Sequence, residues 1–334
     1  MFVNVSNGNL LIQHRDAFLP SQGEDYFLVR TYNSRGQPSD AHQHEDARWT
    51  FSTFIRLTER HGQDGTYFEV EYGDGSLFEY RLNQATGLYE STDGAGAFET
   101  IEDLGVNKPN QTAFVLTRSN QTRLEFDKQG RLLKSVDTNG VATEYTYKSD
   151  RLVRVEDDDG HVLNYEYEQG VLVRVTDETE GVLVEYNYSQ GRLVEVIDRY
   201  GHSTQYFYTN DGFLERVVLP AEQDADGDGV LETYETREIT FVYEEVNWHG
   251  GNAGQAKIVT QIIDAAGEIT SFDYDFNLVV PGGNNQRNNN EAPPLFYYGG
   301  TTRVVDALGN ARAFSNEQQY VDWRVANGYY ATYN

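Results

Sequence analysis

Between Gly130 and Tyr208 the chain repeats one pattern of apolar and polar positions four times: GRLLKSVDTNGVATEYTY, DRLVRVEDDDGHVLNYEY, GVLVRVTDETEGVLVEYNY and GRLVEVIDRYGHSTQYFY. Leu132, Leu152, Leu172, Leu193 and Leu214 mark the period at spacings of 20, 20, 21 and 21 residues. Asp137, Asp157, Asp177 and Asp198 keep step, followed by Gly140, Gly160, Gly181 and Gly201. Each unit closes on two tyrosines: Tyr145/Tyr147, Tyr165/Tyr167, Tyr186/Tyr188 and Tyr206/Tyr208. A fixed period of this length sets the architecture before any other feature is weighed. Within a unit, a short apolar run meets an Asp/Asn/Gly cluster, and a second run of Val, Thr and Tyr alternates with charged residues. Alternation of period two places the tyrosines on one sheet face and the charges on the other. β-Branched and aromatic side chains suit a pleated surface, and Gly, Asn and Asp supply the tight turn. The pattern predicts a β-hairpin, repeated.

Neighbouring strands lie about 4.8 Å apart, so each hairpin advances the sheet by about 10 Å. Residues 130–208 are expected to give at least eight antiparallel strands in one continuous curved sheet, with Tyr145, Tyr165, Tyr186 and Tyr206 in register. An isolated hairpin is barely stable in water, so each unit depends on its neighbours. The tyrosines serve either as packing or as an aromatic platform for a glycan, since Tyr joins an apolar body to a polar tip.

Units of the form G-R-L-x-x-V-x-D-x-x-G-x-x-T-x-Y-x-Y resemble the YD repeats of the bacterial Rhs family, which is related to teneurins and to the cocoon-forming subunits of insecticidal toxin complexes. Gly191, Arg192, Leu193, Val196, Asp198, Gly201, Thr204, Tyr206 and Tyr208 carry the likeness almost position for position. The aspartate that follows the last tyrosine in the family is replaced by Lys148, Glu168, Ser189 and Thr209. The opening is also similar to the family's segment before its repeats: Gly8-Asn9-Leu10, Asp16, Leu19-Pro20 and Arg30-Thr31-Tyr32-Asn33-Ser34. Trp49 then opens WTFSTFIRL, with Arg48 where the family has glycine. The resemblance implies an all-β shell that wraps a toxin or effector domain of the same polypeptide. In the family the cargo-releasing protease element follows the repeats around D-P-x-G. This chain has no Asp-Pro dipeptide, so that activity is not carried over.

The chain divides on this reading into an N-terminal β segment with degenerate repeats (1–126), regular repeats (127–219), an acidic insertion (220–238) and worn repeats (239–334). Gly73-Asp74-Gly75 marks a hairpin turn in the first part. In the last, Asp264…Gly267…Tyr274 and Asp306…Gly309…Phe314 are the worn repeats. They flank an Asn/Gly/Pro-rich loop at 281–294. The final residues are strand-like without a cap, as expected of a piece of a longer array.

The insertion reads AEQDADGDGVLETYETRE. Asp224, Asp226, Asp228, Gly229 and Glu235 satisfy D-x-D-x-D-G-x5-E. Oxygens at loop positions one, three and five fold round a hard cation, the Val230 carbonyl adds a ligand, and the last glutamate closes bidentately. Glu232 is placed to act through water. Pro220 precedes the loop and β-branched residues follow it, so EF-hand helices are not expected. The prediction is a calcium loop between strands; the competing reading is a solvated acidic turn. His42 and His44 beside Glu45 and Asp46 offer a weaker transition-metal pattern with no second pair at ligand spacing. The run Glu156–Asp159 lacks a distal glutamate and reads as a turn.

Composition narrows the function. The 334 residues carry a net charge of −27, which disfavours a nucleic-acid partner and suits hard cations. No cysteine is present, so disulfides and sulfur redox chemistry are excluded. No apolar run approaches a membrane span and no signal peptide is visible, so an export signal is expected elsewhere in the polypeptide. No G-x-S-x-G elbow, P-loop, H-E-x-x-H or cysteine nucleophile occurs, and no carboxylate pair stands out as a glycosidase centre. Two non-catalytic readings remain. One is a shell segment of a secreted or cell-surface protein, partnered by the rest of its own polypeptide. The other is a calcium-stiffened stalk or adhesin whose tyrosine face binds a cell-surface glycan or protein.

Overall fold

Alternation along the chain becomes strand after strand in the computed structural model, which describes residues 1–5, 7–19, 25–34, 48–62, 65–91, 96–220, 222–223, 232–233, 237–246, 256–279 and 297–316. Among these residues there is no α-helix. The first four strands, β1 (Phe2–Asn4), β2 (Asn9–Leu19), β3 (Tyr26–Asn33) and β4 (Trp49–Phe51), form a sheet in chain order.

A second sheet takes the rest. It starts with β5 (Arg56–Gly62), β6 (Gly65–Glu71), β7 (Leu77–Leu82), β8 (Tyr89–Glu90), β9 (Thr100–Asp103), β10 (Phe114–Thr117) and β11 (Arg123–Phe126). The regular repeats follow as β12 (Leu132–Val136), β13 (Ala142–Lys148), β14 (Arg151–Glu156), β15 (Val162–Glu168), β16 (Val171–Asp177), β17 (Gly181–Ser189), β18 (Arg192–Asp198) and β19 (Ser203–Tyr208), then β20 (Leu214–Leu219). A two-residue ribbon intervenes, β21 (Glu222–Gln223) with β22 (Glu232–Thr233). The sheet resumes with β23 (Arg237–Val246), β24 (Ala256–Ile263), β25 (Ile269–Val279), β26 (Tyr297–Val305) and β27 (Ala311–Asn316). β5 to β20 and β23 to β27 make a long antiparallel sheet of 21 strands. The expected eight strands over 130–208 are β12 to β19.

The chain splits into two compact units, one of 13–31, 38–187 and 330–334, the other of 1–12, 32–37 and 188–329. In the first, Leu57, Phe68, Val70, Tyr80, Ile101, Phe114, Leu116, Leu124, Phe126 and Leu132 form one buried cluster, with Tyr145 packed against it. Phe68 meets Phe114 and Tyr89 edge-on at 4.9 and 4.5 Å, the geometry that aromatic quadrupoles favour. In the second unit Leu10, Leu11, Tyr32, Leu193, Tyr206, Leu214, Phe241, Ile258 and Val259 are buried.

The register differs from the expectation in one respect. Tyr145 pairs with Val155, and Val155 with Leu163, two residues short of Tyr165. Tyr165 pairs with Val175, and Val175 with Val184, two residues short of Tyr186. Tyr145, Tyr165 and Tyr186 share a face, but each of these units slides two residues past the one before it. Such stagger accompanies strand tilt in a coiled sheet.

A bulge recurs with the period. Thr146 pairs with Arg154 but Tyr147 with Leu152, leaving Val153 extra. Val173, Glu215, Leu133 and Thr260 are extra in the same way. A bulge bends its strand and increases the local twist. The longer spacings are also located. One added residue sits in the turn from Asp177 to Gly181 and is absorbed at Leu183; the other sits in the turn from Thr209 to Gly212.

Candidate functional site

The repeated aspartate is a turn clamp. Asp137 Oδ1 accepts the backbone N–H groups of Asn139 and Val141, both at 2.8 Å, and the Gly140 N–H closes on the Asp137 carbonyl. Asp127, Asp198, Asp264 and Asp306 do the same two and four residues on. The glycine takes a left-handed φ in each, from 75 to 89°. The worn repeats at Asp264 and Asp306 therefore keep the turn chemistry of the regular ones. Hydrogen bonding from Asn310 holds the Asp306 carboxyl below its usual value. At the opposite ends of the hairpins, Gln169-Gly170 and Gln190-Gly191 turn with both residues at positive φ.

The tyrosine pairs have two distinct tasks. Tyr165, Tyr186 and Tyr206, the first of each pair, are buried, and Tyr145 is half-buried. Burial pushes the Tyr165 phenol well above its ordinary value. Its hydroxyl meets that of Tyr26 on β3. Tyr186 donates to Asp16 Oδ2 at 2.8 Å and packs edge-on against Phe51. In three of the four units the second tyrosine sits under the arginine that opens the unit: Arg131 over Tyr147, Arg151 over Tyr167 and Arg192 over Tyr208, at 5.4 to 5.8 Å. This cation–π contact explains the arginine of the G-R-L motif.

Tyrosines of the later strands also bond backbone carbonyls beside the bulges. A bulged residue leaves backbone groups outside the ladder, and buried groups of that kind need partners. Tyr243 donates to the carbonyl of Leu214, and Tyr274 to that of Val259, both at 2.9 Å. Tyr208 donates to the Leu193 carbonyl at 2.6 Å. The matching N–H groups go to the N-terminal strands. Leu214 donates to the Tyr32 hydroxyl at 2.8 Å, and Val259 to the Gly8 carbonyl at 3.0 Å. Gly8 lies so close that a Cβ would fall 2.4 Å from that of Ile258.

The N-terminal motif residues are thus structural. Asp16 is buried with Arg30 at 3.2 Å, and Arg30 lies over Trp49. Ser34 Oγ accepts the Leu10 N–H and donates to Asn9 Oδ1. Sequence reasoning identified these residues by resemblance but not their tasks, because their partners lie on remote repeats. It missed a further buried polar group: Glu99, whose Oε2 accepts the hydroxyl of Tyr80 at 2.6 Å and, more weakly, that of Tyr72 at 3.4 Å. Burial, with Glu99 beside it, pushes the Tyr72 phenol up to about 12.

Of the predicted calcium ligands, Asp224, Asp226, Asp228, Val230 and Glu235 lie outside the described residues, and Glu232 is placed on β22 by its backbone alone. His42 and His44 also lie outside them. The flanks are clear. Glu222 pairs with Thr233 and Gln223 with Glu232, so the ends of the acidic segment are held together. β20 and β23 pair directly below, down to Leu219 opposite Arg237.

No curated protein matches the chain. Solved structures described as TcdB2-TccC3-Cdc42, TcdB2-TccC3-TEV and TcdB2-TccC3 align over 93, 95 and 95% of it, at 12, 11 and 11% identity and TM-scores of 0.24, 0.19 and 0.21. The alignments take in 20, 22 and 23% of those chains, so this chain spans about a fifth of their length. The sequence profile described as RHS Repeat matches residues 126–162, which hold the first regular hairpin and the start of the second. This chain carries an RHS repeat.

Proposed function

We propose that this chain is a non-catalytic wall segment of a YD-repeat shell in a large secreted or cell-surface bacterial protein, where it helps enclose a toxin or effector domain of the same polypeptide. One observation carries the reading. The repeated tyrosines are spent on packing, on arginine contacts and on backbone carbonyls, which is the economy of a wall. A glycan platform needs its rings open to solvent, and Tyr165, Tyr186 and Tyr206 are buried. The adhesin alternative therefore loses its ligand face. No helix among the described residues is long and apolar enough to cross a membrane. The test is limited proteolysis of the full-length polypeptide against its isolated C-terminal region. Enclosure predicts that the C-terminal region resists protease only within the intact protein; equal cleavage in both forms contradicts it.

We further propose that the 220–238 insertion binds calcium through Asp224, Asp226, Asp228, the Val230 carbonyl and Glu235, with Glu232 acting through water. Support comes from the ligand spacing and from the β21–β22 ribbon, which joins the two ends of the segment. Because β20 already pairs with β23, the ion is not needed to align those strands. Without flanking helices the affinity is expected in the ~10⁻⁴ to 10⁻³ M range of extracellular modules. At ~2 mM calcium and a Kd of ~0.1 mM, linkage adds roughly 1.8 kcal/mol. Thermal melts with calcium, magnesium and chelator, for wild type and Asp226→Ala, decide the matter. Calcium is expected to raise the wild-type Tm selectively; an equal rise in both proteins, or with magnesium, refutes the site.

A further inference from the structure

Two of the Asp-x-x-Gly turns carry a histidine directly after the glycine. In each, the imidazole reaches back to the turn aspartate: His161 Nδ1 lies 2.9 Å from Asp157 Oδ2, and His202 Nδ1 lies 2.8 Å from Asp198 Oδ2. Elsewhere the same place is filled by groups that do not titrate near neutrality. Arg131 Nε donates to Asp127 Oδ2 at 2.8 Å, and Asn310 Nδ2 to Asp306 Oδ2 at 2.9 Å. At these four turns the side chain after the glycine is a clasp on the aspartate, and at 161 and 202 the clasp is an imidazole.

The two imidazole clasps differ in what happens to a second proton. A neutral ring already supplies Nδ1–H to the carboxylate, so protonation places the new N–H on Nε2. His202 Nε2 is buried and without a hydrogen-bond partner. The His161 side chain is 40% exposed, which gives its ring access to water. The carboxylates facing His161 are Asp157 and Asp159 on its own turn and Asp177 at the end of β16, which pairs with Leu163 two residues further along β15. Asp177 Oδ2 is itself buried without a hydrogen-bond partner. Arg154, on β14, is engaged by Glu156 and Glu178. Hydrogen bonding to Asp157 is the largest cause that raises the His161 pKa above its ordinary value, with the charges of all three aspartates adding to it.

We propose that the turn from Asp157 to His161 is an acid-strengthened clasp, in which proton uptake by His161 on mild acidification tightens the β14–β15 hairpin. The direction follows from linkage. The folded form binds this proton more tightly than the unfolded form. The added stability is complete below the ordinary histidine value of about 6.5 and disappears as pH rises through the raised folded value. Histidine is the side chain whose ordinary value lies in that window.

The experiment is a proton NMR titration of the histidine ring signals in the whole chain, with His161 assigned through His161→Asn. It is joined to hydrogen exchange at the amides of Leu163 to Tyr165, corrected for intrinsic rates. Asparagine is the chosen replacement because Asn310 makes the same bond without titrating. The expected results are a His161 midpoint above about 6.5 and protection that rises severalfold from pH 8 to pH 6 in the wild type. In His161→Asn the protection stays level and matches the wild type at pH 8. A midpoint at or below the ordinary value, or an unchanged pH response in His161→Asn, overturns the proposal. Should that variant fail to fold, the wild-type titration decides alone.

Discussion

In residues 130–208 the groups that fix each turn lie two to four residues from the aspartate they bond, as at Asp137 and Asp198. In the N-terminal strands the partners are remote. Tyr26 meets Tyr165 across 139 positions, Asp16 meets Tyr186 across 170, Tyr32 meets Leu214 across 182, and Thr302 donates to the Val5 carbonyl across 297. The repeats write their own turns, whereas the opening strands have meaning only against repeats already in place. Local contacts close cheaply, and long-range ones must await the ordering of the chain between. The contrast teaches that the repeats are locally specified but not self-sufficient. Their bulges release backbone groups that tyrosines and the N-terminal strands must take up.

The largest effect is expected where both regions share one side chain. Tyr186→Ala removes a fully buried ring and its bond to Asp16, and is expected to cost about 3–5 kcal/mol in urea unfolding. A loss below ~0.5 kcal/mol, the scale of an ordinary surface substitution, would mean that the ring is not packed as described.

Two glycines sharpen the comparison, because they occupy the same position in successive Asp-x-x-Gly turns, one at each end of β12. A Cβ on Gly130 would fall 1.7 Å from the Leu57 carbonyl oxygen at a φ of +75°, while one on Gly140, at +89°, would meet nothing within 4 Å. Gly130→Ala is expected to cost about 2–3 kcal/mol, from left-handed strain plus overpacking. Gly140→Ala should cost about 1 kcal/mol, from strain alone. Equal losses in chemical denaturation would show that the close approach of Leu57 is not retained in solution.

The smallest effect concerns the arginine contacts. Arg151→Ala removes the cation over Tyr167 and is expected to cost about 0.5–1 kcal/mol. Val171→Arg places an arginine where the third unit lacks one, and a gain of similar size is expected if the contact is as general as its recurrence implies. A thermal melt of each variant checks the pair.

How much could be read in advance follows the same division. The period gave strand number, turn position and the shared face of the tyrosines, because Leu132, Asp137, Gly140 and Tyr145 each recur with their role. The bulges were not legible. Val153 and Val173 look like ordinary strand residues, and a spacing of 20 does not show that one residue is unpaired. The two-residue slide between units escaped for the same reason. The N-terminal residues could be recognised by resemblance but not assigned, since nothing local in Asp16 or Tyr32 names Tyr186 or Leu214. Glu99 was invisible because a buried carboxylate is defined by the two phenols that fold brings to it.

The central claim is that the N-terminal strands complete the bulges of the repeats, and one backbone amide reports on it directly. Leu214 N–H, freed by the bulge at Glu215, donates to the Tyr32 hydroxyl. Amide hydrogen exchange is to be measured residue by residue in the wild type and in Tyr32→Phe, which keeps the ring and removes the acceptor. Loss of a net bond of about 0.5–1.5 kcal/mol should speed exchange at Leu214 by roughly two- to tenfold. The Val217 amide, held in the ladder with Tyr206, should keep its rate. An unchanged Leu214 amide, or an equal rise at both residues, would contradict the account.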